Sequence, residues 1–324
     1  MNYRSIPELN EDCREVAFGF GSDFDLVVGI PRSGLLVANL LGLHLNVPIT
    51  DVDGLVEQKL INTGARYSGD LDFEDVDRVL VVDDSVNTGS QMEETRSRVD
   101  SYDFDFDVEY AAIYVTLEGS RCVDHWADVV KQPRIFEWNI LHHPRLKNMC
   151  VDIDGVLCRD PEESENDDGE EYKKFITNVD AKVNPTKKIG YLVTCRLEKY
   201  REETEYWLEQ NDIEYGELIM MDHPDMETRK QAGNHGEYKS RVYRETNASL
   251  FIESSPHQSR EIAQNTGRPV YCVKSNSMVR PGMSNVLKPK IDNGKEYMTR
   301  LKNNPVAFFQ SVSRYMLNKI RNDL

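Results

Sequence analysis

The chain has 324 residues, a length that favours about two domains, each able to bury its own core. Hydrophobic residues at 39%, charged residues at 29% and aromatics at 9% exclude a disordered polymer and a membrane protein by composition. The formal charge of −17, from 39 Lys and Arg against 56 Asp and Glu, excludes a chain that coats nucleic acid through bulk positive charge.

No run approaches the ~18 apolar residues of a spanning helix, and MNYRSIPELNEDCREV has no apolar core after a basic start, so a cytoplasmic protein is expected. Apolar, β-rich runs then alternate with helix-like stretches: Leu26 to Ile30, Val79 to Val82, Tyr110 to Val115, Met149 to Ile153, Tyr191 to Val193, Leu250 to Ile252 and Val270 to Val273. That alternation predicts an α/β fold with two Rossmann-like parallel-sheet domains. Leu141 to Asn148, LHHPRLKN, is the expected linker, which gives domains over 1–145 and 146–275. The acidic run Asp160 to Glu171 is expected to be an exposed loop, because its like charges repel in any compact packing. From Lys274 onward there are 10 Lys and Arg against 3 Asp and Glu, which marks a basic helical tail over 276–324. The six cysteines form no C-x-x-C pair and are expected to be reduced thiols without a chemical role.

In the first half, RVLVVDDSVNTGSQ (Arg78 to Gln91) runs a buried strand into two acids, then a small, hydroxylated turn before a helix. Asp83 and Asp84 stand at the carboxyl end of that strand, where open α/β sheets bind ligands, and their carboxylates can accept hydrogen bonds from vicinal sugar hydroxyls. Ser85, Asn87, Thr88, Gly89 and Ser90 offer backbone N–H groups and hydroxyls at a helix N-terminus, a cradle for a phosphate dianion. Acids for a diol beside a phosphate cradle describe a sugar phosphate.

This segment resembles the phosphoribosyl pyrophosphate (PRPP) motif of the type I phosphoribosyltransferases. Upstream, DLVVGIPRSGLLVA (Asp25 to Ala38) resembles the family's pyrophosphate loop, with Arg32, Ser33 and Gly34 as the groups that would hold pyrophosphate. EQKLINTGARYSG (Glu57 to Gly69) stands where the family has a closing loop; Lys59 and Arg66 either reach the pyrophosphate on closure or are solvated charges. Phe136, Glu137 and Trp138 stand where purine enzymes of the family place a stacking aromatic, although a Trp near a domain end is more often core. The resemblance implies Mg²⁺-bound PRPP as substrate and loss of pyrophosphate to an acceptor nucleophile.

The second half opens with MCVDIDGV (Met149 to Val156). Alternate residues of a strand face one way, so Asp152 and Asp154 project together, with Gly155 letting the chain turn. Two carboxylates so placed can divide nucleophilic and acid/base work around one Mg²⁺. Further on come Thr194 at the end of YLVTCR, Lys239 in a helical stretch and Glu253 at the end of LFIESS. The order resembles the four motifs of the haloacid dehalogenase-like (HAD) phosphatases. By that resemblance Asp152 forms an aspartyl phosphate, Asp154 serves as acid and base, Thr194 and Lys239 hold phosphoryl oxygens, and Asp152, Asp154 and Glu253 ligate the metal. Lys230 is an alternative to Lys239, which is favoured because its helix leads into the last strand. The family usually has an acidic pair at the last motif, whereas here Glu253 is followed by Ser254 and Ser255. Any cap between Asp154 and Thr194 must be small or absent.

The tail carries Asn304 and Pro305 as a helix start, then Phe309, Val312, Met316 and Ile320 on one face. Such a basic amphipathic helix lies on an anionic membrane surface, or docks on a domain or a dimer partner. Fusion of the two activities resembles the ribofuranose-adding systems of bacterial polysaccharide synthesis: a transferase adds 5-phosphoribosyl from PRPP to a glycan acceptor, and a phosphatase removes the 5-phosphate. Nucleobase salvage with an attached nucleotidase, and a PRPP-sensing regulatory protein with a phosphatase domain, are the alternatives.

Overall fold

The structure, a computed structural model, describes residues 1–61, 73–228, 233 and 235–282. It divides into two compact units, Asn2–Arg134 in one and the chain from Ile135 in the other. The fold is α/β with parallel sheets in both units.

The first unit runs β1 (Asn2–Arg4), α1 (Ile6–Phe20), β2 (Leu26–Gly29), α2 (Gly34–Leu45), β3 (Ile49–Asp51), α3 (Val52–Val56), β4 (Arg78–Val86), α4 (Ser90–Val99), β5 (Asp107–Val115) and β6 (His125–Val129). Helix α1 starts where Ser5 and Glu8 form a reciprocal cap, the Ser5 N–H donating to Glu8 Oε2 at 2.7 Å. Five strands pair in the order β3-β2-β4-β5-β6, all parallel. The chain leaves β2 toward β3 and returns on the other side of β2 to form β4. The connections after β2 and β4 therefore diverge, and a crevice opens outside the carboxyl ends of those two strands. Leu26, Val28, Val79, Val81, Tyr110 and Ala112 pack in the core of this sheet.

Strand β7 (Arg134–Phe136) crosses the division between the units. The second unit continues with β8 (Met149–Val151), α5 (Glu170–Asn178), β9 (Ile189–Leu197), α6 (Arg201–Gln210), β10 (Tyr215–Met221), α7 (His235–Glu245), β11 (Leu250–Glu253), α8 (Pro256–Thr266), β12 (Val270–Cys272) and β13 (Ser277–Val279). The strand order is β10-β9-β8-β11-β12-β13, parallel except for the antiparallel β12–β13 pair. Here the reversal point lies between β8 and β11. Val193, Val242, Tyr243, Phe251 and Ile262 pack in its core.

The organisation differs from expectation at the domain boundary and at the start of the tail. The division falls between Arg134 and Ile135 rather than at 145/146, and the expected linker is a pair of 3₁₀ turns, Glu137–His142 and Pro144–Asn148, with Leu146 fully buried. An apolar side chain inside such a polar stretch anchors it to the fold. The acidic run is an exposed loop over most of its length, as expected, and it is tied down: Arg159 grips Glu165 with both guanidinium nitrogens at 2.6 and 2.5 Å, and Asp168 accepts from Lys199, Tyr200 Oη and the Met226 N–H, each at 2.9 Å. Arg159 beside the run, and Lys199, Tyr200 and the Met226 N–H from further on, offset the repulsion, and α5 begins inside the run at Glu170. Residues 277–279, expected in the tail, form β13. Arg66, Lys230 and the tail from 283, with its helical face and membrane expectation, lie outside the described residues. Among the described residues no helix is long and apolar enough to cross a membrane.

Candidate active sites

The crevice of the first sheet gathers the residues read from the two PRPP-like segments. Strand β4 runs on past Val82, pairing Asp83 with Ala112 and Ser85 with Tyr114, so Ser85 lies in the strand and the turn proper is Asn87 to Gly89. The Asp84 N–H donates to Asp83 Oδ1 at 2.8 Å, and the Ser33 hydroxyl donates to Asp84 Oδ1 at 2.7 Å. Burial, then the neighbouring Asp84, pushes the Asp83 carboxyl well above the usual carboxylate range. Two crowded acids of this kind gain from a cation or from hydroxyl donors, so the donor set fits a hard cation shared with a sugar diol.

The loop holding Ser33 comes close to the acids because Gly34 has no side chain. A Cβ there would stand 2.6 Å from the Val82 carbonyl oxygen and 3.2 Å from Asp83 Oδ1. Arg32 is exposed on the same loop, and the Pro31–Arg32 peptide is cis. On the other side, Asn87, Thr88 and Ser90 are exposed, and the Thr88 and Ser90 hydroxyls lie 3.1 Å apart. The first turn of α4 leaves backbone N–H groups of Ser90 and Gln91 without intrahelical acceptors. The turn is anchored from behind: Thr116 Oγ1 donates to the Asn87 carbonyl at 2.5 Å, and Gln132 Nε2 donates to Asn87 Oδ1 at 2.9 Å. Lys59 is exposed and pairs with Glu57 at 2.6 Å.

Arg134 was not among the expected residues. It is buried, and burial pulls its pKa down against the opposing pull of Asp84 and Asp83. Nothing in its local sequence marks it, since the acids it faces lie far back in the chain. Phe136 and Trp138 stack on each other at 4.9 Å, inside the second unit.

No protein-family model matches the sequence, and no curated protein does. Among solved structures, the chain is similar to the Helicobacter pylori xanthine-guanine-hypoxanthine phosphoribosyltransferase at 16% identity, over 43% of this chain and 93% of that one, with a TM-score of 0.34. A purine phosphoribosyltransferase from Pyrococcus horikoshii aligns at 22% identity over 42% of this chain and 92% of its own, TM-score 0.32. An adenine phosphoribosyl transferase from Trypanosoma brucei aligns at 21% over 40% and 63%, TM-score 0.26.

At the reversal point of the second sheet, the structure brings Asp152, Lys239 and Glu253 into contact. Asp152 follows β8, Glu253 ends β11, and Lys239 reaches them from α7. Lys239 Nζ donates to Asp152 Oδ2 and to Glu253 Oε2, each at 2.7 Å, and to Gln258 Oε1 at 2.9 Å. All three charged groups are buried. Burial pushes the Asp152 carboxyl up to about 8, with Lys239 pulling it down and Glu253 and Asp154 pushing it further. Burial works against the charge on Lys239, but Asp152, Cys195 and Glu253 outweigh it and hold its pKa above the usual range. Thr194 is fully buried, and its hydroxyl accepts from the Arg196 N–H at 3.2 Å.

Asp154 is not joined to that triad by a hydrogen bond. Its carboxylate is gripped by Arg196, with Nη2 at 2.7 Å from Oδ1 and Nε at 3.2 Å from each oxygen. Arg196 was missed from the sequence, yet a signal was available. It stands two residues after Thr194 on one strand, and Thr194 and Arg196 are both fully buried there. Gln258 was also missed.

The three acids expected to ligate a metal do not fit that role as arranged. Among the described residues no group of three His, Cys, Asp or Glu side chains converges as a metal site. Lys239 takes one oxygen each of Asp152 and Glu253, and Arg196 takes both of Asp154. Beyond Glu253 stands Ser254, whose hydroxyl lies 3.4 Å from the Asp154 carbonyl oxygen.

Proposed function

We propose that the protein transfers a 5-phosphoribosyl group from PRPP to an acceptor, a glycan by preference, with release of pyrophosphate, and that its second unit then removes the 5-phosphate. The observation that carries this reading is the contact of Ser33 with Asp84 in the crevice between β2 and β4, which joins the pyrophosphate-loop segment to the acid pair. The sequence resemblances support both halves.

In the first unit, Asp83 and Asp84 accept hydrogen bonds from the ribose hydroxyls. The N–H groups and hydroxyls of Asn87 to Ser90 hold the 5-phosphate at the start of α4. The Arg32 guanidinium and the Ser33 to Gly34 amides hold the pyrophosphate and stabilise the charge that grows on it as the bond to the anomeric carbon breaks. Asp83 and Asp84 are the residues that would hold a Mg²⁺ brought by PRPP, and the ion would supply charge neutralisation for the leaving pyrophosphate.

In the second unit, an oxygen of Asp152 bonds to phosphorus as the bond to the ribose C5 oxygen breaks, and Asp154 gives that oxygen a proton so that it leaves as a hydroxyl. Water then attacks the aspartyl phosphate, Asp154 takes its proton, and phosphate departs. Lys239 holds Asp152 in place and meets the phosphoryl charge, and Thr194 is the second group that the resemblance assigns to the phosphoryl oxygens.

The test is ³¹P NMR of the protein with PRPP and Mg²⁺, alone, with nucleobases, and with polysaccharide extracts. Pyrophosphate and inorganic phosphate appearing together only with a glycan-containing extract is the expected result. Pyrophosphate formed with a nucleobase would replace this reading with salvage, and PRPP bound with no pyrophosphate under any acceptor would replace it with a sensing role.

A further inference from the structure

The centre between β8 and β11 supplies its countercharge from its own side chains. Three carboxylates meet two buried cations: Lys239 bridges Asp152 and Glu253, and Arg196, which is fully buried, clasps Asp154. The remaining carboxylate oxygens are also engaged. Asp152 Oδ1 accepts from the Ile153 N–H at 2.9 Å, and Glu253 Oε1 accepts from the Ser255 N–H at 2.9 Å. At most one unit of negative charge is left over, which is too little to draw a doubly charged ion out of water when every carboxylate is already engaged by a cation.

Ser254 decides the point. It is buried, directly follows Glu253, and its hydroxyl shares the neighbourhood of the Asp154 carbonyl oxygen and of Gly155, where a Cβ would meet Ser254 Oγ at 2.4 Å. An acid at 254 would bring a second surplus negative charge next to a backbone carbonyl oxygen, an arrangement that a divalent cation satisfies. A serine offers only a neutral hydroxyl.

We infer that this centre holds no tightly bound divalent cation, its acids being neutralised by Lys239 and Arg196, and that Ser254 is the position at which a carboxylate would convert it into a metal centre. This concerns charge balance and stands whether or not the centre hydrolyses phosphate, which is assayed separately by phosphate release.

The experiment is a Mn²⁺ titration of the full chain, reading the free ion by electron paramagnetic resonance. Wild type and Asp152→Asn are expected to bind the same number of ions per chain, any bound ion belonging to the first unit. Ser254→Asp is expected to bind one more, and the added Asp152→Asn substitution to remove it. One more ion bound by wild type than by Asp152→Asn would overturn the inference. A folded Ser254→Asp chain with no gain, foldedness being read by circular dichroism, would overturn the role of position 254. The wild-type comparison decides the main claim even if Ser254→Asp does not fold.

Discussion

The Ser33 hydroxyl donates to Asp84 Oδ1 at 2.7 Å, which fastens the loop after β2 to the acid pair on β4. A hydrogen bond to a charged acceptor contributes about 1.5–3 kcal/mol. Ser33→Ala is therefore expected to raise the KM for PRPP by roughly ten- to a hundredfold in a pyrophosphate-release assay. Ser33→Thr, which keeps the hydroxyl, should recover most of the loss. An unchanged KM in Ser33→Ala would remove this contact from substrate binding.

The two centres are expected to fail separately. Asp152→Asn should lower phosphate release by about 10²–10⁴-fold and leave pyrophosphate release intact. The Asp83→Asn, Asp84→Asn pair should lower pyrophosphate release by about 10²–10³-fold and spare hydrolysis of a supplied 5-phosphoribosyl product. Full phosphatase activity in Asp152→Asn would show that the nucleophile lies elsewhere.

Phosphate release should rise with pH. Attack on phosphorus requires the carboxylate of Asp152, and burial holds its pKa up to about 8, so the protonated, inactive form persists through neutral pH. The rising limb of kcat/KM should end near that value. Glu253 pushes the pKa up, so Glu253→Gln should move the limb to lower pH. A profile already flat across the neutral range would contradict the assignment of Asp152.

Gly34→Ala places a methyl group 2.6 Å from the Val82 carbonyl oxygen, a backbone atom held in the sheet. Overpacking of this kind costs about 1–3 kcal/mol. Urea unfolding should show a loss in that range, together with weaker PRPP binding as the loop is pushed off Asp83. Gly19→Ala, where a Cβ meets nothing within 4 Å, is the control.

What could be read from the sequence follows strand position. Every expected strand is an interior one: β2, β4 and β5 in the first sheet, β8, β9, β11 and β12 in the second. Interior parallel strands are covered on both faces and read as unbroken apolar runs such as VLVV. The strands that escaped notice at β3, β6, β10 and β13 are the four edges of these sheets. Their sequences, ITD, HWADV, YGELIMM and SMV, mix polar residues into the run because one side has no partner strand. At the sites, the contacts of Ser33 with Asp84 and of Lys239 with Asp152 and Glu253 join segments that the motifs single out, whereas Arg134 and Gln258 owe their positions to folding that brings distant segments together. The acidic run is held by Arg159, directly before it, and by Lys199 from further along the chain, and a count of like charges gives no weight to either cation.

Each large sheet draws all its strands from one continuous stretch, β2 to β6 from Leu26 to Val129 and β8 to β13 from Met149 to Val279. Parallel pairing is slow to form because the paired strands are far apart in sequence. On the ribosome, where synthesis proceeds from the N-terminus, this arrangement lets the first sheet close while the second is still being translated. Its unpaired edges are then exposed for the time needed to make one sheet, and newly made apolar strands such as Val79 to Val82 find their own neighbours before those of the second sheet emerge.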